Sequence, residues 1–546
     1  MNTLPTIGSP AIGTAGVFGA AKSATSAAAR SRAWLRVGVA DLLMVLVIIG
    51  VLQRSQGGLL DDPGLGWHIR NIDAIAAEGW WLSADSFSGP RGGQQWLTNQ
   101  WLGDLVLYFS WHWGGLEGIA TLVAIVLALT YRQLYLMMID DGVPWPLAAL
   151  WAFVAALGSS LAWVARPKIF TLLFVMIMAY TVDRFHRGKC TRRQTLWLLP
   201  IFCLWANTHG GFVAGLIILA TAVCVEACLS VGIPYRTDIA AARQRLKHVG
   251  LLLVAAAAVT LVNPYGWKLY PWVFQLLGNE FFMNLHTEWL SPNFHDAGAL
   301  RYELIMLAFP LLLAFSRRKS ISLVALALSI VWLHFALGGM RYVALWVVIV
   351  VPLLARLSAD VLLTYSGRKS SSGGGPQPAL VRGGFAAVLA VVLVTIGWAR
   401  YVDGYSRSAQ QNIPTEALTY VLEHHDGRAV FHDYNWGGWL TWHGWPAVRN
   451  WIDDRNEVQG QAHIEQYFDI IGAKPGWDEI FAQRRVQWVC IAVGRPLDRT
   501  LSGHADWTER YRDAVAVVYE RAPSPQPAID ETAVATGTNV STGNRP

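Results

Sequence analysis

The hydrophobic positions of this chain fall in long blocks, and most of its charged positions fall between them. About eleven blocks approach the twenty apolar residues that a bilayer core requires. They centre near Leu43, Val126, Ala155, Met176, Leu199, Thr221, Ala256, Leu307, Ile330, Val348 and Val391. Four basic clusters lie between them: Arg184, Arg187, Lys189, Arg192 and Arg193; Arg236, Arg243, Arg245 and Lys247; Arg317, Arg318 and Lys319; and Arg368, Lys369 and Arg382. With an odd number of spans, all four fall on the side of the N-terminus. The excess of Lys and Arg on cytoplasmic loops makes that side the cytoplasm.

The pattern predicts a polytopic α-helical membrane protein with a small C-terminal α/β extracytoplasmic domain. Residues 1–33, rich in Ala, Gly, Ser and Thr, read as a disordered cytoplasmic tail. The block from Val37 to Leu52 follows Arg30, Arg32 and Arg36 and reads as a retained signal anchor in an inner (plasma) membrane. The membrane domain is expected over 34–399 with an outer-face loop over 53–115, the α/β domain over 400–522, and a second disordered tail over 523–546.

In the outer loop, Trp67–Glu78 reads as a helix closing at Gly79, with Ile69, Ile72, Ile75 and Ala76 on one face. Trp101–Trp113 reads as a second apolar helix, too short to span, ending at Gly114-Gly115. Both are expected along the outer leaflet. In the C-terminal domain, strands are expected at Ala429–His432, Val448–Ile452, Trp488–Ala492 and Val515–Tyr519, with helices at Thr415–Leu422 and Ala462–Ile471.

Composition agrees with this pattern. Of 546 residues, 53% are hydrophobic and 15% charged, against roughly a quarter charged in soluble proteins. The net charge of +6 sits in inter-span clusters, so it points to membrane topology and membrane lipids rather than nucleic acid. The five cysteines form no CxxC pair, and no zinc site is readable. No Walker A, GxSxG, HExxH or dinucleotide fingerprint stands in a usable context, which argues against an ATP-driven machine and a metalloprotease.

Candidate chemistry concentrates on the outer side. Asp61-Asp62-Pro63 is followed by His68 and Arg70 soon after the first block. A carboxylate there could deprotonate an acceptor or ligate a divalent metal, with His68 assisting; alternatively the aspartates cap an interfacial helix. Arg166, Lys168, Arg341 and Arg301 lie outside, against the topology trend. Cations there suit an anionic lipid phosphate, or they snorkel to headgroups. Asn207 and His209 end the fifth block, and Glu288 lies in a loop as a candidate acceptor-side or metal contact.

The acidic motif after the first span, followed by a helix, a glycine and Asp85-x-Phe87-Ser88, resembles the GT-C superfamily of membrane glycosyltransferases. Asp62-Pro63 with His68 and Arg70 is similar to the D-P-x-x-H-x-R run of archaeal oligosaccharyltransferase catalytic subunits, although four residues rather than two separate Pro63 from His68. Val430–Leu440 resembles the W-W-D-Y-G acceptor motif around Asp433-Tyr434, with Phe431-His432 in place of two tryptophans and Asn435-Trp436 before the glycines.

The resemblance implies a GT-C-like fold and a polyprenyl-phosphate-linked sugar donor. It makes Asp62 the expected base or metal ligand, with Asp61 second and His68 in support. Arg166, Lys168, Arg341, His209 and Arg301 are the expected phosphate contacts. Asp433, Tyr434, Trp436 and Asp454 are the expected acceptor contacts. Asp62 and Glu288 would hold a divalent cation (Mg or Mn), if one is used. The rival readings are a transporter or flippase of a lipid-linked solute, and a non-catalytic assembly protein of the same shape.

Overall fold

The computed structural model describes residues 37–54, 58–60, 62–233, 238–317, 321–366, 413–425, 427 and 429–522. Asp61, the block centred near Val391 and both expected tails lie outside these residues. The described chain divides into two compact units, one of 37–413 with 434–464 and one of 414–433 with 465–522.

The first unit is helical. Its main elements are α1 (Val39–Arg54), α2 (Leu65–Glu78), α3 (Trp101–Asp140), α4 (Trp145–Ser159), α5 (Lys168–His186), α6 (Leu198–Thr208), α7 (Phe212–Ser230), α8 (Ile239–Val259), α9 (Leu300–Phe315), α10 (Leu323–Gly338) and α11 (Val343–Ser366). Each expected block centre except Val391 falls within one of these helices. Five helical stretches among the described residues are long and apolar enough to cross a membrane: Trp101–Asp140, Trp145–Ala162, Lys168–His186, Phe212–Ser230 and Met340–Tyr365. Val39–Leu52 and Leu323–Gly338 are apolar but shorter.

Small residues let these helices approach closely. Ala148, Ala152, Ala155 and Ala156 form one buried stripe of α4, which packs on α3 and α11. The expected helix at Trp101–Trp113 is present, but it runs on into the following span. A break at Gly115 (φ 61°, ψ −147°) separates its two parts, a conformation that only glycine adopts readily.

Helix α2 ends at Gly79 in the left-handed region (φ 72°), as expected of a glycine C-cap. Its buried face differs from expectation. Leu65, His68, Ile69, Asn71 and Ala74 are buried, while Ala76 is exposed. The reason is polar: Asp104 of α3 accepts from Asn71 and pairs with His68, which makes those two side chains fit to face inward.

At one end of α5, Arg356 bridges Asp141 at 2.8 Å and Asp183 at 2.7 Å, and Arg187 joins both carboxylates. Lys168 begins the same helix, fifteen residues before Asp183, so about 23 Å separates this network from the Lys168 end.

The segment Tyr434–Ile464 belongs to the first unit. Val448–Ile452, an expected strand, makes only an isolated bridge from Asn450 to Ser88. Its backbone partner is the 85–96 loop rather than a sheet. Trp67, Leu82, Phe87, Trp96 and Val458 form a small apolar core there.

The second unit holds a four-stranded sheet of β1 (Ala429–His432), β2 (Val486–Ala492), β3 (Trp507–Arg512) and β4 (Ala516–Arg521), ordered β1-β2-β4-β3. Strand β1 runs parallel to β2, and the other pairings are antiparallel. Strand β3 was not expected. Its sequence Trp-Thr-Glu-Arg-Tyr-Arg is largely exposed, and an edge strand needs no alternating apolar face.

Candidate active site

The turn that presents Asp62 is made locally. Asp62 Oδ1 accepts the Gly64 amide at 2.8 Å, an Asx turn of the kind that starts helices. Two glycines then let a distant segment approach. A Cβ on Gly66 would overlap the Gly438 carbonyl, and one on Gly438 would overlap the Pro63 carbonyl. The backbones of 63–66 and 437–438 therefore pack without intervening side chains.

That approach places Asp454 beside Asp62, with Arg166 between them. Arg166 Nε lies 2.5 Å from Asp62 Oδ2, and its Nη2 donates to Asp454 Oδ2 at 2.5 Å. Trp67 Nε1 fixes the other Asp454 oxygen at 2.8 Å. Burial opposes the Arg166 charge, but Asp62 and Asp454 outweigh it and raise its pKa further.

A second ionic group adjoins the first. Lys168 Nζ donates to Glu288 Oε2 at 2.7 Å, and Arg341 lies 3.9 Å from Glu288 Oε1. Arg341 also sits over the Trp289 ring, 3.7 Å from its centre, a cation–π placement. Burial works against the Glu288 charge, yet Lys168, Arg341 and Arg166 hold its carboxyl below the usual range. Two cations against one carboxylate leave a net positive charge.

These cations border a cavity of about 490 Å³. Its apolar wall includes Leu127 of α3, Leu172 of α5, Ala214 of α7, Trp332 of α10 and Ala344 of α11. Lys168, His209, Glu288, Arg341, Tyr342 and Glu457 supply its ionisable lining.

His209 Nδ1 accepts the Gly211 amide at 2.9 Å, with Thr171 Oγ1 also at 2.9 Å. An accepting Nδ1 leaves the proton on Nε2. Burial, then Arg341 and Lys168, pushes the His209 pKa down to about 3. The ring is therefore a neutral hydrogen-bond donor rather than a third cation.

The other expected residues divide. His68 does not support Asp62: its Nδ1 lies 2.6 Å from Asp104 Oδ1, both side chains being buried. Arg301 is exposed, donates to Ser160 at 3.2 Å and does not line the cavity. Asn207 is a buried helix-end residue, accepting from Trp101 Nε1 and donating to Val262.

Tyr434 donates to Asn456 at 2.6 Å, and Asn456 in turn meets His286 at 2.7 Å, two residues before Glu288. Trp436 is buried. Asp433 belongs to the second unit, where Arg495 holds both its oxygens. Asp62 and Glu288, the expected metal ligands, are each engaged by cations. Among the described residues no three His, Cys, Asp or Glu groups gather as a metal site.

The motif Asp85-x-Phe87-Ser88 has a structural task. Arg455, fully buried, donates to Asp85 at 2.7 Å and to Asp453 at 2.5 Å. Its guanidinium lies 4.4 Å from the Trp96 ring centre and 5.1 Å from that of Phe87. This clamp ties the 453–459 segment to the first loop. The sequence pointed to Asp454 within the Asp453-Asp454-Arg455-Asn456 cluster but not to Glu457, which lines the cavity. Its signal was adjacency to that cluster.

No family model matches this chain, and no curated protein does. Among solved structures, the chain is similar to the archaeal oligosaccharyltransferase AglB from Archaeoglobus fulgidus in complex with an inhibitory peptide and a dolichol-phosphate. That match has 13% identity and a TM-score of 0.48, and covers 83% of this chain and 69% of that one. A second structure of the Archaeoglobus fulgidus oligosaccharyltransferase, tethered to an acceptor peptide containing the NVT sequon, matches at 13% identity and a TM-score of 0.49, covering 88% of this chain and 74% of that one. The chain is also similar to ArnT from Cupriavidus metallidurans bound to undecaprenyl phosphate, at 14% identity and a TM-score of 0.48, covering 88% of this chain and 98% of that one.

Proposed function

We propose that this protein is a GT-C-type glycosyltransferase, moving a sugar from a polyprenyl-phosphate-linked donor to a cell-envelope acceptor on the outer face of the membrane. One observation carries the reading: an apolar cavity of about 490 Å³ between the helices, bordered by Lys168 and Arg341. A polyprenyl phosphate has that division of chemistry, a hydrocarbon chain with an anionic head.

The lipid chain lies along the apolar wall, and its phosphate meets Lys168 and Arg341, with the His209 Nε2–H as a neutral donor. Both cations now face Glu288, so an arriving phosphate shares them with a carboxylate already in place. As the bond from the sugar C1 to the phosphate oxygen breaks, these donors stabilise the charge developing on the leaving phosphate. Fixed donors of this kind supply much of an enzyme's rate. Asp62, Arg166 and Asp454 form a rigid frame beside this group, and Tyr434 and Asp454 are the acceptor-side groups.

The test uses purified protein in lipid nanodiscs. Undecaprenyl phosphate should bind, and Lys168→Ala with Arg341→Ala should weaken that binding at least ~10-fold, the order expected when charge-assisted phosphate contacts are lost. A panel of undecaprenyl phosphohexoses should release hexose to an acceptor. Absence of binding by the wild-type protein overturns the reading. Counterflow of the lipid-linked sugar across proteoliposomes without any glycosidic product would replace it with a flippase.

A further inference from the structure

The proposed reaction needs a group to take the acceptor proton, and the carboxylates first expected there are occupied. Asp62 has one oxygen on the Gly64 amide and the other on Arg166. Asp454 is held by Arg166 and Trp67. Glu288 is held by Lys168 and faces Arg341. A carboxylate pinned by cations is a weak base, because protonation would sacrifice those contacts.

Glu457 differs from all three. It stands on the short helix Asn456–Gln459 and lines the same cavity as Lys168, His209, Glu288 and Arg341. The two residues before it are anchored: Arg455 by Asp85 and Asp453, Asn456 by Tyr434 and His286. The backbone that carries Glu457 at the cavity wall is thus fixed. Among the described residues it makes no ion pair and no hydrogen bond to another side chain; its own amide is its hydrogen-bond donor.

We propose that Glu457 is the base that accepts the proton of the acceptor hydroxyl at this cavity. The inference rests on the transferase reading above. In the step, the acceptor oxygen bonds to the sugar C1, and the bond from C1 to the phosphate oxygen breaks with its electron pair. The phosphate leaves onto Lys168 and Arg341. The hydroxyl proton passes to the Glu457 carboxylate, which later returns it to water.

Geometry is joined by a favourable proton affinity. Burial, set against Arg455 and reinforced by Asp454 and Asp453, raises the Glu457 carboxyl to about 7, where a general base works best near neutral pH. The ionisable groups around the cavity and its rim are Lys168, His209, Glu288, Arg341 and Tyr342, with His286 and Tyr434 beyond Asn456. Of these, His209 is neutral, and Glu288 stays charged well below neutral pH.

Two measurements on the full-length protein in nanodiscs test the proposal. The first is hydrolysis of undecaprenyl phosphohexoses with water as acceptor, followed by free hexose against pH. Wild type should gain rate through about pH 7, while Glu457→Gln loses about 100-fold in kcat at little change in KM and loses that limb. Glu457→Asp should restore part of the rate. The second needs no turnover: undecaprenyl phosphate affinity at pH 6 and pH 8. Deprotonating Glu457 puts a negative charge in the cavity, so wild type should lose several-fold more affinity between these values than Glu457→Gln does. Equal rates and equal pH profiles for wild type and Glu457→Gln overturn the assignment while leaving the transferase reading intact. Failure of wild type to bind undecaprenyl phosphate removes both.

Discussion

The Lys168 ammonium donates to the Glu288 carboxylate at 2.7 Å, at the border of the apolar cavity. Arg341 faces the same carboxylate from the other side, so Glu288 holds the two cations together and also competes for them. Opposite effects are expected from the two ends of the pair. Lys168→Ala should weaken undecaprenyl phosphate binding at least ~10-fold, whereas Glu288→Gln should tighten it several-fold at low salt. Isothermal titration at two ionic strengths reads both. Weakening by Glu288→Gln would mean that the carboxylate positions the cations more than it opposes the ligand.

Arg455 and its two aspartates form a fully buried ion pair network. Removing one partner of such a network strands a buried charge, which costs about 3–5 kcal/mol. Arg455→Met, which leaves Asp85 and Asp453 buried without their cation, should therefore lower the thermal unfolding midpoint of the purified protein more than any exposed substitution. Adding Asp85→Asn and Asp453→Asn to it should recover part of that loss, because no charge is then left unpaired.

His209 gives a pH dependence of definite sign. Its folded pKa is lowered to about 3, while the unfolded chain titrates near about 6.5. Below about 6.5 the unfolded state binds more protons, so this residue's contribution is complete above that value and falls as the pH drops towards 3. The slope is at most about 1.4 kcal/mol per pH unit. Thermal midpoints between pH 7 and pH 4 should decline less in His209→Asn than in wild type.

Asp62→Asn separates charge from turn geometry, since an asparagine Oδ1 can still accept the Gly64 amide. Arg166 would keep Asp454 and lose one of its two counter-charges. Hexose release should fall at least ~10-fold, the order expected when a charge-assisted contact is lost, while the protein stays folded because Arg166 keeps Asp454 as a counter-charge. Unchanged activity in a well-folded Asp62→Asn preparation would remove Asp62 from the machinery.

Arg301 supplies the contrasting case. It is exposed, bonded to Ser160 and outside the cavity lining. Arg301→Ala should leave undecaprenyl phosphate affinity within about twofold and stability within about 0.5 kcal/mol.

The apolar blocks and their punctuation were legible without coordinates. Length and hydrophobicity act along the chain, so they identified the helices around Val126, Ala155, Met176, Thr221 and Val348 directly. Gly79 and Gly115 could likewise be read as ends, because a glycine's backbone freedom is a local property. Single polar residues were harder to place. Periodicity put Ala76 on the buried face of α2, but the pairing of His68 and Asn71 with Asp104 turned that face elsewhere. Nothing local to residue 68 announces a partner at residue 104.

By itself, then, the sequence determined that this chain builds apolar helices, carries cations at Arg166, Lys168 and Arg341 beside them, and follows them with a mixed α/β segment. Those follow from hydrophobicity, charge and local backbone preference. Only tertiary structure decided which groups meet. It set Arg166 between Asp62 and Asp454, the latter 288 residues further along the chain than Arg166, turned His209 into a neutral donor, and brought Glu457 to the cavity of Lys168 and Arg341. The physical reason is that ionic and hydrogen-bonding partners are chosen by distance in space, and that distance is fixed by close backbone approaches such as Gly66 on Gly438, which leave no periodic trace along the chain.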